Sequence, residues 1–146
     1  MNILIPKYLS KFKYIEHKIL PIDKCLVGEN FNNKLIYRGI ENTIHYRLIS
    51  DYINNKENIS TASLYLDYIA KNKQNHKLLE FYSLADDIIK NGYNYEIYPI
   101  LVFKNYRNIK NIFCSYYCVI DGFHRLSILK ALGFTKINIA VMKYIR

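Results

Sequence analysis

Residues 112–120 form a nine-residue run, mostly apolar or aromatic, that stops abruptly at Asp121-Gly122. The chain then reads Phe123-His124-Arg125-Leu126 and continues to Leu132-Gly133. A run of that length bounded by turn residues is a buried strand. The following stretch is a short helix that glycine stops. A last apolar run, residues 137–142, is a second strand. A strand that turns directly into a helix and is followed by another strand needs a sheet with that helix packed on it. This ending places the chain in the α+β class, as a small mixed sheet backed by helices.

The rest of the chain fits that frame. Residues 17–27 mix β-branched and apolar residues around Pro21, which suits a short or edge strand, and residues 28–39 read as a loop. Residues 41–53 carry Ile44, Leu48, Ile49 and Tyr52 on one helical face. Ser60 or Thr61 caps a second helix with Leu64, Leu66, Tyr68 and Ile69. A third helix spans residues 77–90, with Leu78, Phe81, Leu84, Ala85 and Ile88 inward, and Asn91-Gly92 ends it. Residues 97–103 and 112–120 then form a hairpin whose long polar turn is residues 105–111. With 146 residues, 51% of them hydrophobic and only three proline, the chain supports one core and one domain over 1–146.

Net charge is +9, unevenly distributed. Residues 101–146 hold eight Lys or Arg against Asp121 alone, whereas residues 21–100 hold nine against ten acidic residues. A positive field of this kind attracts phosphates, on a nucleotide, a nucleic acid or a membrane surface. Codon bias in an Ile-, Asn-, Lys- and Tyr-rich chain is a competing source of some of these lysines, so net charge is supporting evidence only. Three cysteines give no paired framework. Cys114 and Cys118, four apart on a strand, have α-carbons roughly 13 Å apart, beyond the about 7 Å that a disulfide spans, so they read as core residues. Residues 1–20, broken by Pro6, Lys7, Lys11 and Lys13, lack a signal-peptide core, and no window suits a membrane span. The expected location is cytoplasmic, with no membrane partner.

The chemistry concentrates at residues 121–125. Glycine accepts either sign of φ and lets a ligand approach the backbone. The first amides of a helix lack intrahelical acceptors and carry partial positive charge, so an anion belongs there. His124 and Arg125 add donors, and Arg grips two phosphate oxygens at once. The plainer reading makes Asp121 an N-cap, Gly122 a turn residue, and His124 and Arg125 solvated first-turn residues. Cations in a first turn oppose the helix dipole by about 0.3 to 1 kcal/mol, a small penalty that a bound anion would relieve.

These residues carry a resemblance. Residues 119–144 look like the ParB and sulfiredoxin superfamily, whose members share a strand, a Gly-x-His-Arg or related turn, a helix closed by Leu-Gly, and a final strand. Residues 84–103 resemble the family's helix, glycine turn and Pro-Ile-containing strand, and residues 20–29 its first strand. Only residues of about 31–75 lie outside the resemblance, as a helical insertion. Sulfiredoxins place a reactive cysteine before the His-Arg pair; Phe123 stands there, which implies no sulfinic-acid repair. ParB partition proteins bind CTP and continue into a DNA-reading helix-turn-helix, which a chain ending at Arg146 is expected to lack.

The pattern is most similar to the free serine kinase branch, with its Asp-Gly-His-His-Arg turn. Asp121, Gly122, His124 and Arg125 match it, whereas Phe123 replaces the first histidine. Glu29 falls where that branch keeps its catalytic glutamate. The resemblance implies a nucleotide-dependent kinase acting on a small hydroxyl-containing metabolite such as an amino acid or sugar. Gly122, Phe123, His124 and Arg125 would bind the phosphates of ATP or ADP, or CTP. Asp121 would assist Mg²⁺, and Glu29 would accept the hydroxyl proton, making Glu29, Asp121 and His124 the catalytic set.

Residues 36–47 pack Arg38, Glu41, His45 and Arg47 into a loop and a first helical turn. One reading is an acceptor-substrate site; the other is an ion-paired helix start on the surface, with Glu41 and His45 as i,i+4 neighbours. His17, His45, His76 and His124 complete no zinc motif, and no metal site is expected from protein ligands alone. Walker A and Rossmann glycine patterns are absent, and no carboxylate cluster suggests a nuclease. The alternative to a kinase is a non-catalytic nucleotide- or nucleic-acid-binding module, whose polymer affinity would fall steeply with salt. The sequence is silent on oligomeric state.

Overall fold

The computed structural model describes residues 10–55, 59–72, 77–109 and 112–145, with side chains 106–109 and 112–114 outside the description. It is an α+β structure with one six-stranded mixed sheet and four α-helices. The strands are β1 (Phe12–Pro21), β2 (Cys25–Phe31), β3 (Lys34–Gly39), β4 (Ile100–Ile109), β5 (Ile112–Asp121) and β6 (Lys136–Tyr144). The helices are α1 (Ile44–Ile53), α2 (Ile59–Lys71), α3 (Leu78–Asn91) and α4 (Phe123–Ala131). No described helix is long and apolar enough to cross a membrane.

Strand order is β1-β6-β4-β5-β2-β3. β4 lies near the middle because Ile100, Leu101 and Val102 are apolar on both faces and all buried. It pairs antiparallel with β5 and parallel with β6, while β1 closes one edge against β6. β5 pairs parallel with β2, but only at Cys25–Tyr117 and Leu26–Cys118. Beyond Leu26 the two strands separate toward their C-terminal ends, and the site opens there.

The main core lies between the sheet and the helices, with Leu48, Ile49, Tyr65, Phe81, Ala85, Leu126, Ile128 and Leu129 buried against sheet residues such as Val27, Ile100 and Ile139. Cys118 and Cys25 are both buried, and burial, with Cys118 as neighbour, pushes the Cys25 thiol up to about 12. Cys114 lies among the side chains that are not described.

Several expectations change. The single strand expected around Pro21 is two, β1 and β2, parted by a 3-10 turn at Ile22–Lys24. Residues 28–39 are not a loop: β2 and β3 form a hairpin, closed by Asn32 and Asn33 at φ 50° and 63°. Asparagine tolerates that left-handed geometry, and two such residues in succession match the twist of flanking strands. The 31–75 stretch is therefore helical only after β3. The expected polar turn at 105–111 is mostly ladder, with pairing out to Ile109–Ile112; the tip, residues 110–111, is not described. On α2 the buried residues are Tyr65, Tyr68 and Ile69, while Leu64 and Leu66 are exposed. The polar handles of the tyrosines disguised the buried face.

Candidate functional site

The site is built on the β5–α4 junction. Gly122, not Asp121, occupies the N-cap position of α4, at φ 99° and ψ 21°. Asp121 ends β5, and its carboxylate faces back to Arg125 Nη2 at 3.5 Å. A side chain at Gly122 would be strained by its φ and would press on the Cα of Ile100 at 3.2 Å. Gly122→Ala is accordingly expected to cost about 1–3 kcal/mol, read as a lower denaturant midpoint at unchanged slope.

Arg125 is not a solvated first-turn cation. Its Nη1 donates to the Pro99 carbonyl at 3.2 Å, and its side chain is 17% exposed. Two partners thus lock the guanidinium beside the α4 amides, with some of its fork still reachable. His124 turns inward, its Nε2 3.3 Å from the Tyr65 hydroxyl. Burial, with Glu80 nearby, pushes Tyr65 up to about 12 and keeps that hydroxyl protonated.

Two cavities flank the turn. One, of about 370 Å³, lies against α3 and is lined by Lys77, Glu80, Phe81, Leu84, Asp121, Gly122, His124 and Arg125. The other, of about 210 Å³, opens where β2 leaves β5 and is lined by Gly28, Asn30, His45, Tyr68, Ile120, Asp121, Gly122, Phe123 and His124. Asp121, Gly122 and His124 line both. Crevices at the carboxyl ends of diverging sheet strands are common ligand sites.

Glu29 belongs to a different layer. It is 1% exposed, in a strand and not in a solvated loop, and it lines neither cavity. Its Oε2 accepts from the Ile44 amide at 3.4 Å, at the positive end of α1. Arg38 Nε is 3.6 Å from Oε1, and His45 Nδ1 is 4.0 Å from Oε2. Burial raises the Glu29 pKa above the usual carboxylate range, against the opposing pull of the Ile44 amide, Arg38 and Arg47. The other face of His45 meets the turn, with ring centroids 4.2 Å from Phe123 and 5.0 Å from His124. Glu29 is thus linked to the turn through His45.

The residues of the 36–47 segment separate. Arg38 and His45 surround Glu29; Arg47 is exposed and acts on it through charge. Glu41 lies in a 3-10 turn before α1, so its expected i,i+4 register with His45 does not arise. Its carboxylate packs over Gly39 instead. Of the four, only His45 lines a cavity of the turn. Sequence reasoning missed Asn30, Tyr65, Tyr68, Lys77 and Glu80 as site residues, since none stands in a motif. Phe81 was expected in the core, where it is, and it also walls the larger cavity.

No cluster of three or more His, Cys, Asp or Glu suited to a metal occurs among the described residues. Asp121, at the junction of both cavities, fits the mode in which Mg²⁺ arrives with phosphate oxygens and takes one or two carboxylates from the protein. Compared with protein families, curated proteins and solved structures, the chain matches none.

Proposed function

We propose that the chain is a nucleotide-dependent phosphotransferase, built on a ParB/sulfiredoxin-like domain, that phosphorylates a small hydroxyl compound. The observation that carries this reading is the pair of cavities meeting at one turn, with Asp121, Gly122 and His124 common to both. A transferase needs a donor and an acceptor side by side. The larger cavity has the donor's requirements: helix-end amides, Arg125 and Lys77 for phosphate oxygens, and Phe81 as an apolar wall. The smaller one takes the acceptor.

In the proposed reaction the acceptor oxygen forms a bond to the terminal phosphorus. The bond from that phosphorus to its bridging oxygen breaks, and the shortened nucleotide leaves with that electron pair. The acceptor's hydroxyl proton passes to the Asp121 carboxylate, which faces both cavities, rather than to Glu29, which is enclosed. Mg²⁺, when bound, would neutralise charge on the phosphates; Asp121 would hold it through one carboxylate oxygen, leaving the other for the acceptor's proton. Glu29 holds His45 and the start of α1, and through His45 supports Phe123 and His124.

The test is a thermal-shift panel of ATP, ADP, CTP and GTP with and without Mg²⁺, followed by a nucleotide-consumption assay over alcohol acceptors. A nucleotide at about 100 times its Kd stabilises by roughly 2.7 kcal/mol. Asp121→Asn is expected to retain the shift given by nucleotide alone, to lose any additional shift given by Mg²⁺, and to lose about 10²- to 10⁴-fold in turnover. Binding without consumption for any acceptor would make the chain a non-catalytic nucleotide module. No binding at all would remove the nucleotide reading.

A further inference from the structure

A third cavity, of about 350 Å³, lies between the β2–β3 turn and α2, and Asn30 and Tyr68 line both it and the smaller cavity of the turn. The Tyr68 hydroxyl accepts from the Asn30 amide at 3.2 Å, which ties the two spaces along one wall. We infer that this groove extends the acceptor site of the smaller cavity and that the acceptor is a neutral polyhydroxyl compound, a sugar, whose reacting hydroxyl lies in the smaller cavity and whose remainder lies in the groove; the inference rests on the phosphotransferase reading.

The lining is rich in amides: Asn30, Asn32 and Asn33 from the hairpin and Asn72 after α2. Each amide side chain both donates and accepts, as each sugar hydroxyl does, so the two match pairwise without a fixed charge. Asn72 already donates one N–H to the Tyr68 carbonyl at 2.9 Å, which orients the rest of its amide. The positive φ of Asn32 and Asn33 places these two residues at the tip of a tight turn beside the groove. Asp67 and Lys71, one helical turn apart, give the lining one charge of each sign and no net charge. That balance disfavours an anionic acceptor. Phe31, which lines the groove, packs edge-to-face on Tyr68 at 6.4 Å and carries the Arg38 guanidinium over its ring at 4.7 Å.

Saturation-transfer NMR with glucose, mannose and ribose, with serine and glycerol as contrasts, tests the groove on wild type, Asn72→Ala and Asp67→Ala; ATP binding is followed separately by calorimetry. At least one sugar is expected to bind wild type, and either variant to weaken it tenfold or more with ATP affinity unchanged. Sugar affinity unaltered in both variants, serine binding in preference to every sugar, or no sugar signal beside normal ATP binding would each overturn the proposal. Sugar binding that both variants weaken, in a protein that binds no nucleotide, would uphold the groove and sink the phosphotransferase reading instead.

Discussion

Arg125→Ala is expected to weaken the proposed nucleotide binding by roughly 30-fold to several thousand-fold. The guanidinium is held by Pro99 and Asp121 beside the free amides of α4, so it enters any phosphate contact already oriented. Truncating one partner of a partly buried charge pair costs about 2–5 kcal/mol, or roughly 30-fold to several thousand-fold in Kd. Calorimetric titration at constant salt measures it. Because Arg125 also fastens the start of β4 to α4, the variant's melting without ligand serves as the baseline. Arg125→Lys keeps the charge and loses the planar fork, so it is expected to fall between the two. Wild-type affinity in the alanine variant would show that the turn does not bind the phosphates.

Glu29→Ala is the largest stability change expected. It leaves Arg38 and His45 beside an empty buried space and removes the acceptor of the Ile44 amide. Leaving a buried donor such as the Ile44 amide unsatisfied costs about 1–3 kcal/mol per group, and the emptied space adds to it. Glu29→Gln keeps the shape and an oxygen for Ile44, and isolates the charge. The sign follows from burial: the folded pKa of Glu29 lies above its unfolded value, so the native state binds more protons in between. Glu29's contribution to wild-type stability is therefore full below the unfolded pKa and declines as pH rises through the folded one. Denaturant midpoints from pH 4 to 8 should show wild type losing ground to Glu29→Gln as pH increases. The opposite slope would mean that attraction to Arg38 and Arg47 outweighs burial. On the phosphotransferase reading, Glu29→Ala is expected to lower turnover by displacing His45 and, with it, Phe123 and His124.

The parts of this protein that depend on neighbours in sequence were legible from it. The abrupt end of the apolar run at Asp121-Gly122, the stop at Gly133 and the inward face of α3 all appear where local spacing put them. Asn32-Asn33 was the signal for the hairpin at 28–39, overlooked because β3 is an edge strand with Leu35 and Ile36 exposed. On α2 Tyr68 and Ile69 are buried as expected, whereas Tyr65 takes the inward place expected of Leu64 and Leu66.

The sequence by itself determined the α+β class and the strand-turn-helix, because turn chemistry and hydrophobic period act over a few residues. The tertiary structure alone decided which carboxylate lines a cavity. Glu29 is enclosed and Asp121 faces both cavities because β2 pairs with β5 at two positions and then diverges, a geometry set by strands far apart in the chain. Burial and long-range pairing, which no local pattern encodes, separate the residue that supports the turn from the one that lines the cavities.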